Sequence, residues 1–76
     1  MIMREKITAI LNEVLPEADA ELSEDLFEDG LDSMGVMTII SMLQDEFSVE
    51  ISPEDITADN FSTLDEIESL MAKYTR

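Results

Sequence analysis

Apolar residues recur at helical spacing in three separate segments of this 76-residue chain. A repeat at i, i+3, i+4 and i+7 places apolar side chains on one face of an α-helix, where they can be buried together. The first segment runs from Met3 to Leu15 and is stopped by Pro16. The second runs from Ser33 to Phe47 behind the N-cap residue Asp32, and the last begins with a capping box at Thr63. The apolar positions are Ile7, Ile10, Leu11, Val14 and Leu15; Val36, Ile39, Ile40, Leu43 and Phe47; and Leu64, Ile67, Leu70, Met71 and Tyr74.

Two further stretches predict a short helix and a long connection. Pro53–Ile56 is predicted as a short helix, because Ser52 can cap it and Asp55 completes a pattern like a capping box. Residues 16–31 lack a sustained period and predict a surface loop held to the core by its Leu and Phe side chains, with room for one short helical turn. The predicted fold is all-α: a small bundle of three main helices and one short helix with a long first loop. We expect a single domain over residues 1–76.

Carboxylates dominate the charge, with 19 Asp and Glu against four basic residues and a formal net charge of −15. The basic residues lie near the chain ends: Arg4, Lys6, Lys73 and Arg76. The last two are expected at the C-terminal end of the final helix, where cations suit its dipole. Nucleic-acid phosphates and anionic lipid headgroups would find no counter-charge between residues 7 and 72. Partners are instead predicted to present basic surfaces, since opposite charge speeds encounter.

Several kinds of chemistry are excluded by composition. The chain has no Cys and no His, which rules out disulfides, thiol nucleophiles and an imidazole general base. A carboxylate pair for glycoside hydrolysis needs a walled cleft, for which a small helical chain has little room. An EF-hand register around Gly30 fails, because Phe27 and Val36 stand where oxygen ligands are required. We therefore predict a protein that is not an enzyme and has no metal site. The charged start and the lack of a long apolar run favour a cytoplasmic protein without membrane insertion.

The most informative segment is Asp-Leu-Phe-Glu-Asp-Gly-Leu-Asp-Ser-Met at residues 25–34. Ser33 falls in the first turn of the predicted second helix, just after the acidic loop, so its hydroxyl should be exposed. A phosphate on that hydroxyl would meet free backbone N–H groups and the positive end of the helix dipole. Ser33 is thus a chemically sensible place for a phosphodiester, provided that another protein performs the transfer.

Residues 30–34, Gly-Leu-Asp-Ser-Met, match the Gly-hydrophobic-Asp-Ser-hydrophobic motif of the acyl carrier proteins. The chain resembles that phosphopantetheine-attachment family over nearly its whole length. Further matching stretches are the amphipathic first helix, Leu26-Phe27, Asp45-Glu46-Phe47, residues 51–56 and residues 63–67. The resemblance implies that Ser33 bears 4′-phosphopantetheine from coenzyme A. A phosphopantetheinyl transferase would attach it with Mg²⁺, which is needed only during attachment, and with Asp32 beside the metal.

The resemblance also implies a role: a carrier that holds an acyl or aminoacyl group as a thioester and delivers it to partner enzymes. We expect this carrier to be stand-alone and monomeric. Its partners would include an acyl- or aminoacyl-loading ligase or synthase. Residues 34–43 carry no charge, unlike the recognition helix of fatty-acid carriers, and Asp-Ser-hydrophobic-Gly is nearer to D-alanyl and peptidyl carriers. The cargo therefore stays open between fatty-acid or lipid biosynthesis and nonribosomal peptide chemistry. An acidic inhibitor that mimics nucleic acid is the alternative function.

The second helix carries a further apolar set outside its core face. Met34 and Met37 flank Ser33 by helix geometry, and Met suits surfaces that repack against several partners. We therefore predict partner contacts at Met34, Met37, Thr38 and Ser41. Met42 is predicted to be partly core.

Overall fold

Three α-helices and two 3₁₀ turns account for the regular structure of the computed structural model, which describes residues 2–75. The helices are α1 (Ile2–Val14), α2 (Ser33–Phe47) and α3 (Leu64–Tyr74). The 3₁₀ turns, Pro53–Asp55 and Asp59–Phe61, lie between α2 and α3. Residues 2–75 contain no β-strand, so the predicted all-α class is confirmed. Arg76, predicted at the end of the last helix, lies outside the described residues.

The predicted apolar faces meet in one core between the three helices. α1 packs against both α2 and α3, with the side chains of Ile7, Leu11, Ile39, Leu43, Ile67 and Met71 fully buried. Five predicted core residues lie at the edge of this core and are only half-buried: Val14, Leu15, Val36, Phe47 and Tyr74. Met42 is also half-buried against the core, as predicted.

α1 ends one residue earlier than predicted. Leu15 still donates its N–H to the Leu11 carbonyl at 2.7 Å, but it lies beyond the last residue of the helix, Val14. The next residue is Pro16, whose ring disfavours helical backbone at the preceding position. The helix therefore stops at Val14.

The long first connection is held to the core at several points. Leu26 is fully buried and donates its N–H to the Ser62 carbonyl at 2.7 Å, which ties the loop to the start of α3. Leu31 is buried and Phe27 half-buried, in agreement with the predicted anchoring. Leu22 is an exception, because it is 78% exposed and Ala20 enters the core instead.

The segment between α2 and α3 differs most from the prediction. The predicted short helix at Pro53–Ile56 is a 3₁₀ turn that ends at Asp55, and the second turn, Asp59–Phe61, was not predicted. Ser52 caps the first turn as predicted, because its side chain accepts the Glu54 N–H. The predicted capping-box role of Asp55 is wrong, since its carboxylate accepts a hydrogen bond from the Tyr74 hydroxyl. A tertiary partner thus replaces the expected local one.

Candidate functional site

The site is built around the first turn of α2. Asp32 has an extended backbone (φ −127°, ψ −177°), and its Oδ1 accepts the Gly35 N–H at 2.8 Å. This is the predicted N-cap, and it satisfies one of the amide groups that a helix start leaves without an intrahelical partner. Ser33 is consequently the first residue of α2, and it is exposed.

The chain that leads into α2 is fixed by a turn and by burial. Gly30 has a φ of 119°, a conformation that residues with a Cβ rarely adopt. The turn brings Leu31 back so that its N–H donates to the Leu26 carbonyl at 3.0 Å and its side chain is buried. Asp32 and Ser33 then emerge at the surface. A buried leucine next to an exposed Asp-Ser pair thus anchors the site.

Three of the seven carboxylates before the site, those of Asp19, Asp25 and Asp29, accept hydrogen bonds from the loop itself. Asp25 Oδ1 accepts a hydrogen bond from the Phe27 N–H at 3.0 Å, and the Asp29 carboxylate accepts one from the Ser23 hydroxyl. Within residues 2–75 no group of three or more carboxylates converges as a metal site would require. The acidic loop therefore has a defined conformation and presents negative charge beside Ser33.

An apolar surface follows Ser33 along α2. Met34 is 79% exposed and Met37 62% exposed, so their predicted position away from the core is confirmed. Thr38 and Ser41 are exposed as well, although the Thr38 hydroxyl donates to the Met34 carbonyl at 3.0 Å. A shallow groove connects this set: Ser33, Met34, Met37, Thr38, Ser41 and Met42. Below we call it the methionine groove.

A second groove also begins at Ser33 and shares Met37 with the first. Its floor and walls come from distant parts of the chain: Phe27, Val36, Met37, Ile56, Thr57 and Ala58. Sequence reasoning missed this wall, because residues 56–58 follow the first 3₁₀ turn and reach the site only through tertiary packing. No local pattern at these positions signals a binding surface. Ser33 thus lies where two grooves meet.

A profile of the phosphopantetheine attachment site matches residues 5–71 of the chain. The chain belongs to the phosphopantetheine attachment-site family. No curated protein and no solved structure gives a significant match. The match covers all of α2 and its flanking loop, which agrees with the resemblance seen in the sequence.

Membership of this family establishes the coarse role. Its domains carry covalently attached 4′-phosphopantetheine, are modified by phosphopantetheinyl transferases and deliver cargo to synthases and ligases. They are carriers and not catalysts, as predicted from the absence of Cys and His. The alternative of a nucleic-acid mimic receives no support from the match.

The first turn of α2 fits such a group. A phosphodiester needs an accessible hydroxyl, and Ser33 is exposed. The negative phosphate would lie beside the positive end of the α2 dipole, where anions are stabilised. Asp32 occupies only one amide there, that of Gly35. None of the described helices is long and apolar enough to cross a membrane.

Proposed function

We propose that Ser33 is the phosphopantetheine attachment residue of this carrier domain. The observation that carries the proposal is the exposed Ser33 at the first position of α2, directly after a capping Asp32 and within the region matched to the family. In the attachment, the Ser33 hydroxyl would form a bond to the pantetheine-side phosphorus of coenzyme A. The phosphoanhydride bond would break, adenosine 3′,5′-bisphosphate would leave, and the hydroxyl proton would pass to the transferase.

Asp32 would contribute to attachment without losing its structural role. One of its oxygens is held by the Gly35 N–H at 2.8 Å, and a carboxylate has a second oxygen that can approach the Mg²⁺ of the transferase complex. The capping bond fixes the direction of that second oxygen. Asp32 is therefore proposed to help align the metal beside the Ser33 hydroxyl during loading.

The loaded carrier would present its cargo to enzymes over the methionine groove. Once attached, phosphopantetheine supplies a thiol that holds an acyl or aminoacyl group as a thioester. Met34, Met37, Thr38 and Ser41 are proposed as partner contacts, because all four are exposed within the first three turns of α2. The loading enzyme is proposed to be an acyl- or aminoacyl-transferring ligase or synthase with basic residues facing the acidic loop.

The uncharged middle of α2 leads us to favour a D-alanyl or peptidyl type of cargo over a fatty acyl group. The carrier that bears phosphopantetheine but no cargo is incubated with an amino-acid adenylating ligase and, separately, with a fatty-acid condensing system. The gain in intact mass shows which of the two cargoes it accepts. A monomeric, cytoplasmic carrier stays a prediction.

Intact mass after coexpression with a phosphopantetheinyl transferase tests the attachment site. The wild-type chain should gain the mass of one phosphopantetheine group, and Ser33→Ala should gain none. Ser69→Ala, which removes an exposed serine of α3, is the matched control and should load fully. The assignment would be refuted if Ser33→Ala gained the group, or if the group were found on another serine of the wild-type chain.

A further inference from the structure

Gly35 lies in the first turn of α2, on a side where a side chain has no room. A Cβ built at this position would lie 2.8 Å from Leu31 Cδ1, 3.3 Å from Asp32 Oδ1 and 3.5 Å from Val14 Cγ1. Carbon atoms in favourable contact are separated by about 3.5–4.0 Å. Leu31 therefore occupies the space that a side chain at position 35 would need.

Helix propensity alone would favour another residue at this position. Gly is among the least favourable residues in a helix, and Ala is the best. Gly35 is nevertheless helical, with its N–H bonded to the cap Asp32. The packing of Leu31 supplies the physical reason, because its side chain can occupy this space only while position 35 has no side chain.

Leu31 has little freedom to move away. Its side chain is 4% exposed, and its N–H is bonded to the Leu26 carbonyl at 3.0 Å. It is followed directly by Asp32 and Ser33, so a shift of Leu31 is passed along the backbone to the cap and to the site. A side chain at position 35 would also press on the Asp32 carboxylate itself. Displacement of either Leu31 or the Asp32 carboxylate would therefore move Ser33.

We propose that Gly35 is a positioning residue for the Ser33 hydroxyl and acts through Leu31 and the Asp32 cap. The proposal rests on Ser33 being the attachment residue. A transferase must bring this hydroxyl in line with a phosphorus atom, and small displacements from productive geometry lower transfer rates steeply. The absence of a side chain at position 35 thus keeps the Ser33 hydroxyl in one position relative to both grooves.

Gly35→Ala tests the proposal in the full chain, with Leu31→Val and the double variant Gly35→Ala/Leu31→Val as partners. Leu31→Val removes the Cδ1 atom that the new methyl group would meet. Steady-state loading by a phosphopantetheinyl transferase is measured with varied carrier concentration. We expect kcat to fall about tenfold or more in Gly35→Ala with a much smaller change in KM, because the methionine groove stays exposed. The double variant should recover most of the loss.

Two further measurements separate positioning from stability and from the attachment assignment. Ile67→Val in the core is the control for general destabilisation, and it should load at the wild-type rate at a temperature where it is folded. The amide resonance of Ser33 should shift in Gly35→Ala and return toward wild type in the double variant, a readout that needs no transferase. If wild type and Ser69→Ala fail to load, the attachment assignment fails, while the Ser33 resonance still reports on Gly35.

The proposal is overturned if Gly35→Ala keeps the wild-type kcat and an unchanged Ser33 resonance. It is also overturned if the double variant Gly35→Ala/Leu31→Val loads no faster than Gly35→Ala, since the contact with Leu31 would then be irrelevant. An equal loss of kcat in Ile67→Val would assign the effect to stability alone.

Discussion

At the scale of single residues, Tyr74 joins two parts of the chain that sequence spacing does not connect. Its hydroxyl accepts the Ser52 N–H at 2.9 Å and donates to Asp55 Oδ2 at 2.5 Å. The hydrogen bond to the Asp55 carboxylate is the main reason why the pKa of Tyr74 is raised; the Ser52 N–H acts in the opposite direction. The end of α3 is thereby fastened to the first 3₁₀ turn.

This link predicts a loss of stability in strong base. The folded-state pKa of Tyr74 lies above its ordinary value of 10.0, so the neutral phenol is favoured by folding. The stabilisation is complete below pH 10.0 and is lost as pH rises through the folded-state pKa. Tyr74→Phe should be less stable than wild type at neutral pH and lack this step. Urea unfolding of both proteins across this pH range measures the difference.

Tyrosinate absorbance checks the same prediction directly, because Tyr74 is the single tyrosine of the chain. The absorbance of the folded protein should titrate at higher pH than that of the urea-unfolded protein. Coincident titration curves would contradict the role given to the Asp55 hydrogen bond.

At the scale of elements, α2 could be predicted in full and the segment after it could not. Both ends of α2 are defined by nearby residues: Asp32 caps the start, and Ser48, in a left-handed conformation with φ 56°, donates its N–H to the Gln44 carbonyl at the end. The turn Asp59–Phe61 depends instead on the complete burial of Phe61, which no local pattern encodes.

The candidate site shows the same division. The exposure of Ser33, Met34 and Met37 follows from the helical period, because the core face of α2 is made by other residues. The second groove needs Ile56–Ala58 to fold back beside Val36, and that contact depends on the packing of the whole bundle. Local chemistry therefore predicts the exposure of the proposed attachment residue but only one of its two grooves.

Met34→Glu and Met37→Glu should each block delivery to a partner enzyme while the bundle stays folded. Both side chains are mostly exposed, so a carboxylate there costs little stability. In a complex it would be buried without a partner, and loss of a central anchor costs about 2 kcal/mol or more, roughly a 30-fold loss in kcat/KM. Thermal unfolding and cargo transfer by the cognate enzyme are the measurements.

Leu22→Glu is the matched control, because Leu22 is as exposed as Met34 but borders neither groove. It should transfer cargo normally. Unfolding of the Met variants would mean that these side chains support the core. Undiminished transfer would place recognition elsewhere, with the acidic loop as the next surface to test.

At the scale of the whole molecule, like charge opposes the compact state. The chain carries a net charge of −15, and its described ion pairs lie on α1, where Arg4 contacts Asp65 and Glu68 and Lys6 contacts Glu46. Lys6 also lies 5.9 Å from the centre of the Phe47 ring. Such exposed pairs contribute little to stability, too little to offset repulsion among 19 carboxylates.

Moderate salt is therefore expected to stabilise the protein at neutral pH. Screening weakens the repulsion more than it weakens the few ion pairs. A gain of about 1 kcal/mol would raise Tm by roughly 4–8 °C in a domain of this size. Calorimetry in increasing NaCl measures the shift, with Arg4→Ala as a control that removes the bridges to α3. A Tm that falls as salt is added would show that the ion pairs dominate.

The pairing of Arg4 and Lys6 with carboxylates of their own molecule has a further consequence for a crowded solution of carriers. With these two cations paired within their own molecule and a net charge of −15, each copy presents a large excess of carboxylates to the next. Close encounters between two copies would then be rare at low ionic strength, because like charges repel and are little screened. We expect a positive osmotic second virial coefficient in dilute buffer that decreases as salt is added; net attraction in dilute buffer would contradict this.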